Sequence, residues 1–129
     1  MRFSTIPMTT EKLFHYNAKV ERVVDGDTID VLLDLGFNTF LKGRIRFHGI
    51  DAPESRTRDL VEKKAGLATK KFVEDWVEDR NWTIVIQTML DATGKYGRIL
   101  GRILDKEGNC LNDILVEKGL ATAYFGGSR

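Results

Sequence analysis

The sequence is poor in cysteine, in long apolar runs and in net charge. Its single cysteine, Cys110, excludes an internal disulfide and a zinc site built from several thiolates. No apolar run approaches the roughly 18 residues that a membrane-spanning helix requires. The 20 basic residues are balanced by 19 acidic ones, so the net charge of +1 gives no long-range attraction for a polyanion. Any basic surface must therefore be local, and Cys110 is expected to be a small buried residue at the start of a helix.

The remaining composition is that of a water-soluble globular chain. Apolar residues make up 42% and charged residues 30% of the 129 positions, which is enough for one domain with a real core. We expect a single domain at 13–129, preceded by a flexible, polar N-terminal arm at 1–12. This arm has no apolar segment of the kind found in signal peptides. The sequence therefore predicts a cytoplasmic protein, with the mature form of a secreted protein as the alternative.

Three strands are predicted in the first half of the chain. Residues 14–24 are rich in β-branched and aromatic side chains, Asp25 and Gly26 form a turn signal, and alternation resumes at 28–35. The third strand is predicted at 37–50. In that strand the basic residues occupy alternate positions and so line one face: Lys42, Arg44, Arg46 and His48. An ordinary solvated strand face is the simpler interpretation of this row.

The second half of the chain contains two helices separated by two strands. An amphipathic helix is predicted at 62–80, with Trp76 in the core rather than on a base-stacking surface. Strands follow at 82–89 and 99–104, and a second helix at 111–120. The order β-β-β-α-β-β-α predicts a mainly β protein with helices (α+β), namely a five-stranded Greek-key barrel of the OB type with two helices. A ferredoxin-like sandwich would need βαβ crossovers that this order lacks.

Two aspartates are predicted to meet at one end of the barrel. Asp27 follows the first strand and Asp51 follows the third, and in a three-strand meander these two ends lie together. Calcium takes six to eight oxygen ligands, so two carboxylates and the backbone carbonyl of Ala52 would leave places for water and a phosphate. Because Pro53 follows it, Ala52 is biased away from helical geometry. Taken singly, either aspartate motif is also explained as turn chemistry.

Other charged residues complete a set suited to phosphodiester cleavage. Glu54 could hold and deprotonate a water molecule, while Arg46 and Arg98 could each grip two oxygens of a phosphoryl group. Lys95 and Tyr96 are candidates for contacts with a phosphate and with a sugar or base. A lone loop glutamate or strand-edge arginine is ordinarily a solvated charge. Only the combination of these residues therefore points to a function.

Four motifs together resemble those of the staphylococcal nuclease (thermonuclease) family. They are D-G-D-T at 25–28, R-x-R-x-x-G-I-D-A-P-E at 44–54, Y-G-R at 96–98 and L-N-D-I-L-V-E-K-G-L-A at 111–121. No single motif would suffice, but they occur in the family's order and at similar spacing. The resemblance extends from about residue 20 to residue 124, and it implies the OB barrel predicted above.

The resemblance also implies a role for each site residue. The implied calcium ligands are Asp27, Asp51 and the Ala52 carbonyl, and the implied general base is Glu54. The implied transition-state arginines are Arg46 and Arg98, and the lysine and tyrosine of the family's nucleotide site correspond to Lys95 and Tyr96. Ala52 stands where the best-known secreted member has threonine, but a ligand supplied by the backbone carbonyl survives that change.

By this resemblance the chain is expected to be a calcium-dependent endonuclease that cleaves DNA and RNA to 3′-phosphorylated products. We expect a nucleic-acid substrate with single strands preferred, no membrane partner and a monomeric state. The alternative is a catalytically silent OB module that binds single strands on a basic groove. The complete set of five charged groups favours the nuclease over the binding module.

Overall fold

The computed structural model describes residues 14–89 and 99–124 and contains a closed five-stranded β-barrel. The elements in chain order are β1 (His15–Asp25), β2 (Thr28–Asp34), β3 (Phe40–Phe47), β4 (Ile50–Asp51), α1 (Leu60–Glu78), β5 (Thr83–Met89), β6 (Ile99–Leu104), α2 (Leu111–Glu117) and β7 (Thr122–Ala123). The predicted five-stranded barrel with two helices is confirmed, and the structure adds two short strands, β4 and β7, that the predicted order lacks.

Five of the seven strands within residues 14–89 and 99–124 close the barrel in the order β1-β2-β3-β6-β5, with β5 pairing back onto β1. All of these pairings are antiparallel except that of β3 with β6, which is parallel. The register of β1 on β2 shifts at two places, between Val20 and Arg22 and between Val23 and Asp25. Such bulges increase the local twist, which lets one long strand pair with two neighbours around a closed barrel.

The barrel interior is filled by side chains from alternate strand positions. The largest side chains that are fully buried in the strands are Phe47, Ile29, Ile45, Ile84, Ile86, Ile103 and Val31. The two helices contribute Val73 and Val77 from α1 and Leu111 and Leu115 from α2 to the same core. The β-branched strands thus form one core from residues far apart in sequence.

The helix α1 begins at a side-chain cap. The carboxylate of Asp59 accepts hydrogen bonds from the backbone N–H groups of Val61 (3.0 Å) and Glu62 (3.2 Å), which satisfies two donors that a helix start leaves unpaired. Its buried face is formed by Gly66, Thr69, Val73, Trp76 and Val77. Trp76 is therefore a core residue, as predicted.

The helix α2 is fastened to the barrel by a buried amide. Its N-cap, Cys110, is buried as predicted. The Asn112 side chain donates hydrogen bonds to the carbonyls of His48 (2.8 Å) and Gly101 (3.1 Å) and accepts one from the N–H of Ile103 (2.9 Å). Because Asn112 is only 2% exposed, these bonds offset the cost of burying its amide.

The third strand is shorter than the predicted 37–50. It ends at Phe47 because Gly49 adopts a left-handed turn (φ 79°), after which β4 pairs with β7 in a separate two-stranded sheet.

No helix within 14–89 and 99–124 is long and apolar enough to cross a membrane. The N-terminal arm predicted at 1–12 lies outside the described residues.

Candidate nuclease site

Asp27 lies in the turn between β1 and β2 and is buried, with a relative exposure of 9%. Its Oδ1 accepts a hydrogen bond from the hydroxyl of Thr28 (3.0 Å), and its Oδ2 accepts one from the backbone N–H of Ala52 (3.0 Å). Its carbonyl accepts the N–H of Phe47 (2.8 Å). These contacts hold the first turn against the end of β3, so the predicted meeting of these two chain segments is confirmed.

Arg46 places its guanidinium between the two predicted metal-binding aspartates. It projects from β3 at the position paired with Thr28. Its Nη1 lies 3.0 Å from Oδ2 of Asp27, and its Nη2 donates a hydrogen bond of 3.2 Å to Oδ1 of Asp51. The side chains of Arg46, Asp27 and Asp51 are 19%, 12% and 21% exposed, so this is a largely buried cluster with one positive and two negative charges.

One nitrogen of Arg46 is close to a carboxylate but poorly aligned with it. The Nη1 atom is fully buried and makes no hydrogen bond to any described residue, although Asp27 Oδ2 is 3.0 Å away. The contact is therefore a charge interaction without hydrogen-bond geometry. A buried donor left without a hydrogen bond costs about 1–3 kcal/mol, and the charge interaction with Asp27 offsets part of that cost.

The short sheet of β4 and β7 positions Asp51. Asp51 pairs with Thr122 across this sheet, and the Thr122 hydroxyl makes a long hydrogen bond (3.4 Å) to the Asp51 carbonyl. Ala52 follows directly and is 8% exposed. Its N–H is the group that bonds Asp27, so Asp27 and Asp51 are linked through the main chain as well as through Arg46.

Glu54 is exposed and lies on the loop that leads from β4 to α1. The loop packs closely against α1 because Gly66 has no side chain. A Cβ atom at that position would lie 2.5 Å from the carbonyl carbon and oxygen of Glu54 and 2.6 Å from the nitrogen of Ser55. The helix therefore packs directly on the backbone that carries the predicted general base.

A second contact fixes the aspartate turn to the same helix. A Cβ at Gly26 would lie 2.6 Å from Cγ2 of Thr69 and 3.1 Å from Cβ of Ala52. Thr69 is fully buried, and its hydroxyl donates to the carbonyls of Ala65 (3.2 Å) and Leu120 (2.7 Å). The helix α1 thus supports both loops that carry acidic site residues.

Three predicted site residues, Lys95, Tyr96 and Arg98, lie outside the described residues. Of the others, the structure brings together Asp27, Arg46, Asp51 and Ala52, with Glu54 on the adjoining loop. Sequence reasoning missed the supporting residues Gly66 and Thr69. Gly66 left a signal, because glycine in the middle of an amphipathic helix is unfavourable unless close packing requires it.

The donor set fits a hard cation. Two largely buried carboxylates share one guanidinium, which leaves an excess negative charge that a divalent cation would neutralise. Carboxylate and carbonyl oxygens are the ligands that calcium and magnesium prefer. Within the described parts of the chain no three histidine, cysteine, aspartate or glutamate side chains form a metal-binding group. The remaining coordination places would therefore fall to backbone carbonyls, water and substrate.

Comparison with known proteins matches the chain to a family model described as staphylococcal nuclease homologue, over residues 44–129. Endonuclease YhcR of Bacillus subtilis is 30% identical over 115 residues, which cover 85% of this chain and 9% of that protein. Micrococcal nuclease of Shigella flexneri is 32% identical over 117 residues, covering 84% of this chain and 59% of that protein. An Escherichia coli protein named uncharacterized endonuclease is 30% identical over 112 residues, covering 84% of this chain and 61% of that protein.

The chain spans less than two thirds of the length of each of these three relatives. The region matched by the family model begins within β3 and includes Arg46, Asp51 and Glu54. Asp27 precedes that region, so its place in the site rests on its contacts with Arg46 and Ala52. Because the family model matches more than half of its residues, the chain belongs to the staphylococcal nuclease homologue family.

Proposed function

We propose that the protein is a calcium-dependent endonuclease that hydrolyses phosphodiester bonds of DNA and RNA to 3′-phosphorylated products. The convergence of Asp27 and Asp51 on Arg46, at 3.0 and 3.2 Å, is the observation that carries the proposal. It supports a site with hard anionic oxygens beside a fixed positive charge, which is the combination that phosphodiester cleavage needs. Family membership and the nuclease names of the relatives support the same reaction class.

In this proposal, Asp27, Asp51 and the Ala52 carbonyl hold the calcium ion. When bound, the ion would supply positive charge to the phosphoryl group as negative charge develops on it. The Ala52 N–H keeps Asp27 in place through its hydrogen bond to Oδ2. Arg46 is proposed to serve the phosphate, because its guanidinium lies beside both aspartates. Arg98, outside the described residues, is proposed as the second arginine on the phosphoryl oxygens.

Glu54 is the proposed general base. It would accept a proton from the attacking water as the new bond from oxygen to phosphorus forms, and the bond from phosphorus to the 5′-oxygen breaks. The 5′-oxygen leaves with a proton from solvent, and the phosphate stays on the 3′ side. The exposure of Glu54 supports this role, because its carboxylate is open to water and substrate. Lys95 and Tyr96 are proposed to contact the nucleotide next to the cleaved bond.

Calcium is expected to support cleavage better than magnesium. Magnesium demands a small octahedral shell and gives up its water reluctantly, whereas calcium accepts irregular shells with few protein carboxylates. The test is digestion of an end-labelled single strand with calcium, with magnesium or with chelator. Equal turnover with both metals would contradict the calcium assignment, and the chemical form of the product ends checks the 3′-phosphate.

Asp27→Asn should abolish most of the cleavage, because the amide keeps the shape of the side chain but loses the charge that a cation requires. Asp34→Asn is the matched control, since Asp34 is an exposed aspartate at the other end of β2 and should be replaceable without loss. Calcium binding, measured by calorimetry on both variants, shows whether the metal is lost, and circular dichroism shows whether the fold is retained. Undiminished activity of Asp27→Asn would remove Asp27 from the site.

The alternative, a binding module without catalysis, is favoured by the exposed basic residues on the outer face of β3. It predicts tight binding of single strands and no cleavage in any metal. If added calcium produces no cleavage by the pure protein, this alternative replaces the nuclease.

A further inference from the structure

The outer face of β3 carries a row of basic residues that ends in an exposed aromatic ring. Alternate residues of a strand point to the same side, which places Phe40, Lys42, Arg44 and Arg46 on one face. Phe40 is 55% exposed, Lys42 is exposed and the Arg44 side chain is 58% exposed. Their neighbours on the opposite side of the strand, Ile45 and Phe47, fill the barrel interior. The row is therefore a surface feature that the core does not require.

The row begins at the candidate nuclease site and leads away from it. Each step of two residues along an extended strand advances about 6.8 Å, so Phe40 lies about 20 Å from Arg46. These steps are comparable with the separation of successive phosphates in an extended single strand. A backbone whose scissile phosphate lies at Arg46 could thus follow Arg44 and Lys42 in register.

The surface carries two acidic residues as well as Lys42 and Arg44, because Asp30 lies opposite Arg44 and Asp34 lies opposite Phe40. Two exposed basic residues of β1, Lys19 and Arg22, are paired with β2 on the same face. Arg44 donates two hydrogen bonds to Asp30 on β2, from Nε (2.8 Å) and from Nη2 (3.2 Å). The hydrogen bond from Arg44, together with the charges of Arg44 and Arg22, holds the pKa of Asp30 below its ordinary value. Exposed ion pairs of this kind contribute little, so Arg44 can exchange Asp30 for a phosphate. Lys42 stands opposite Leu32 and meets no acidic residue there.

We propose that Arg44, Lys42 and Phe40 form a track that holds a single-stranded nucleic acid as it leaves the nuclease site. Positive side chains along the backbone combined with an exposed ring for base stacking are the features by which barrels of this type bind single strands. A duplex would not use Phe40, because its bases are already stacked on one another. The placement of the cleaved phosphate at Arg46 rests on the proposed nuclease function, whereas the binding surface itself does not.

The track is tested by binding without cleavage. Fluorescence anisotropy of a labelled oligonucleotide in chelator compares the wild type with Phe40→Leu, Phe40→Trp, Lys42→Ala and Asp30→Asn. Removing one stacked base contact is expected to weaken binding by about fivefold or more in Phe40→Leu, while Phe40→Trp retains the affinity. Lys42→Ala should reduce the slope of log affinity against log salt by about 0.7. Lys106→Ala, an exposed lysine in the turn before α2, should bind like the wild type.

Asp30→Asn gives an effect of the opposite sign. Removing one of the two acidic charges beside the track should tighten binding several-fold, an outcome that partial unfolding cannot produce. The preference for a long over a short single strand, expressed as the ratio of their kcat/KM values, should fall in Lys42→Ala and Phe40→Leu. Wild-type affinity in both of these variants overturns the track even if the enzyme cleaves. If both variants lose affinity and the wild type does not cleave with any of the metals added, the track is supported and the proposed function is rejected.

Discussion

At the scale of single residues, the central feature of the candidate site is the guanidinium of Arg46, which contacts the carboxylates of both Asp27 and Asp51. Both aspartates are largely buried, and the guanidinium of Arg46 offsets part of the cost of burying their carboxylates. The same guanidinium is the group proposed to serve the phosphate. Without ligands, Arg46 interacts with both aspartates. A bound metal ion would interact with the aspartates instead, and a bound phosphate would interact with Arg46.

Glu54→Gln is expected to lower kcat by about 10²- to 10⁴-fold, because the amide keeps the size of the side chain but cannot take a proton. Nucleic-acid affinity should change little, since Glu54 is proposed to act on water rather than on substrate. Single-turnover cleavage at saturating protein measures the chemical step. Glu62→Gln is a control on the same surface, because the Glu62 carboxylate accepts a long hydrogen bond (3.4 Å) from the Glu54 N–H and glutamine keeps an oxygen acceptor there. A change confined to KM in Glu54→Gln would indicate substrate binding instead.

The motifs around these residues allowed the cluster to be predicted, but not its hydrogen bonding. That Asp27 and Asp51 would meet followed from the strand order, and their contacts with Arg46 bear this out. The misaligned Nη1 of Arg46 depends on an angle that is set by the tertiary structure, and no sequence pattern contains that information. The roles proposed for Arg98, Lys95 and Tyr96 stay predictions.

At the scale of elements, α1 is the support on which the site loops rest. Its residues Gly66 and Thr69 lie one turn apart on the buried face, the first against the Glu54 backbone and the second against Gly26. Helix residues three positions apart share a face, so one helix fixes the relative position of a proposed base and a proposed metal ligand. The amphipathic pattern predicted the helix. It could not predict the contact with the Glu54 backbone, which is possible only because Gly66 has no side chain.

Gly66→Ala should lower kcat by about 10²-fold, because the added methyl would lie 2.5 Å from the Glu54 carbonyl group and would displace the backbone that positions the proposed base. Alanine normally stabilises a helix interior by about 1 kcal/mol relative to glycine. Helix propensity therefore predicts a more stable variant, whereas the contact with the Glu54 backbone predicts an impaired one. Leu67→Ala is the matched control, since Leu67 is the next helix residue and is 48% exposed. A Gly66→Ala enzyme with normal kcat and a raised melting temperature would show that the loop can move freely. Unchanged nucleic-acid affinity alongside the lowered kcat would identify Gly66 as a positioning residue.

The break in the third strand could not be predicted from alternation alone. Basic residues occupy every second position from 42 to 48, yet the strand ends at Phe47 and the chain turns at Gly49. The new direction is stabilised by pairing with β7, which lies far along the chain. A local pattern contains no information about so distant a partner, whereas the barrel strands could be recognised from their own residues.

At the scale of the whole molecule, a few buried polar residues join the helices to the barrel. Thr69 connects α1 to the Leu120 carbonyl after α2, and Asn112 connects α2 to β6 and to the His48 carbonyl. Asp105, at the end of β6, connects the turn before α2 to Arg80 after α1. Each joins segments that are distant in sequence, so these residues should contribute to the cooperativity of unfolding.

Asp105 is expected to make the fold sensitive to acid. It is 5% exposed, and its carboxylate accepts hydrogen bonds from Arg80 (Nη2, 3.0 Å), from the Asn109 side chain (2.9 Å) and from the backbone N–H groups of Glu107 (3.0 Å) and Asn109 (2.8 Å). Burial by itself raises the pKa of Asp105, but the hydrogen bonds from Asn109 and Arg80 outweigh it and hold the pKa below its ordinary value. A carboxyl group with a lowered pKa in the folded state stabilises the protein above its unfolded pKa of about 3.9. That stability is lost as the pH falls through the lower, folded value.

Asp105→Asn should therefore lower the free energy of unfolding at neutral pH by about 1–3 kcal/mol, because the hydrogen bonds of Asp105 lose their charged acceptor while Arg80, 26% exposed, keeps access to solvent. The difference between wild type and variant should shrink below about pH 4, where the wild-type carboxylate also becomes protonated. Urea unfolding between pH 7 and pH 2 measures both effects. Asp113→Asn provides the control, since the Asp113 side chain is 74% exposed in its ion pair with Arg102 and should contribute little at any pH. A difference between wild type and Asp105→Asn that stays constant as the pH falls would mean that Asp105 stabilises the fold through packing rather than through its charge.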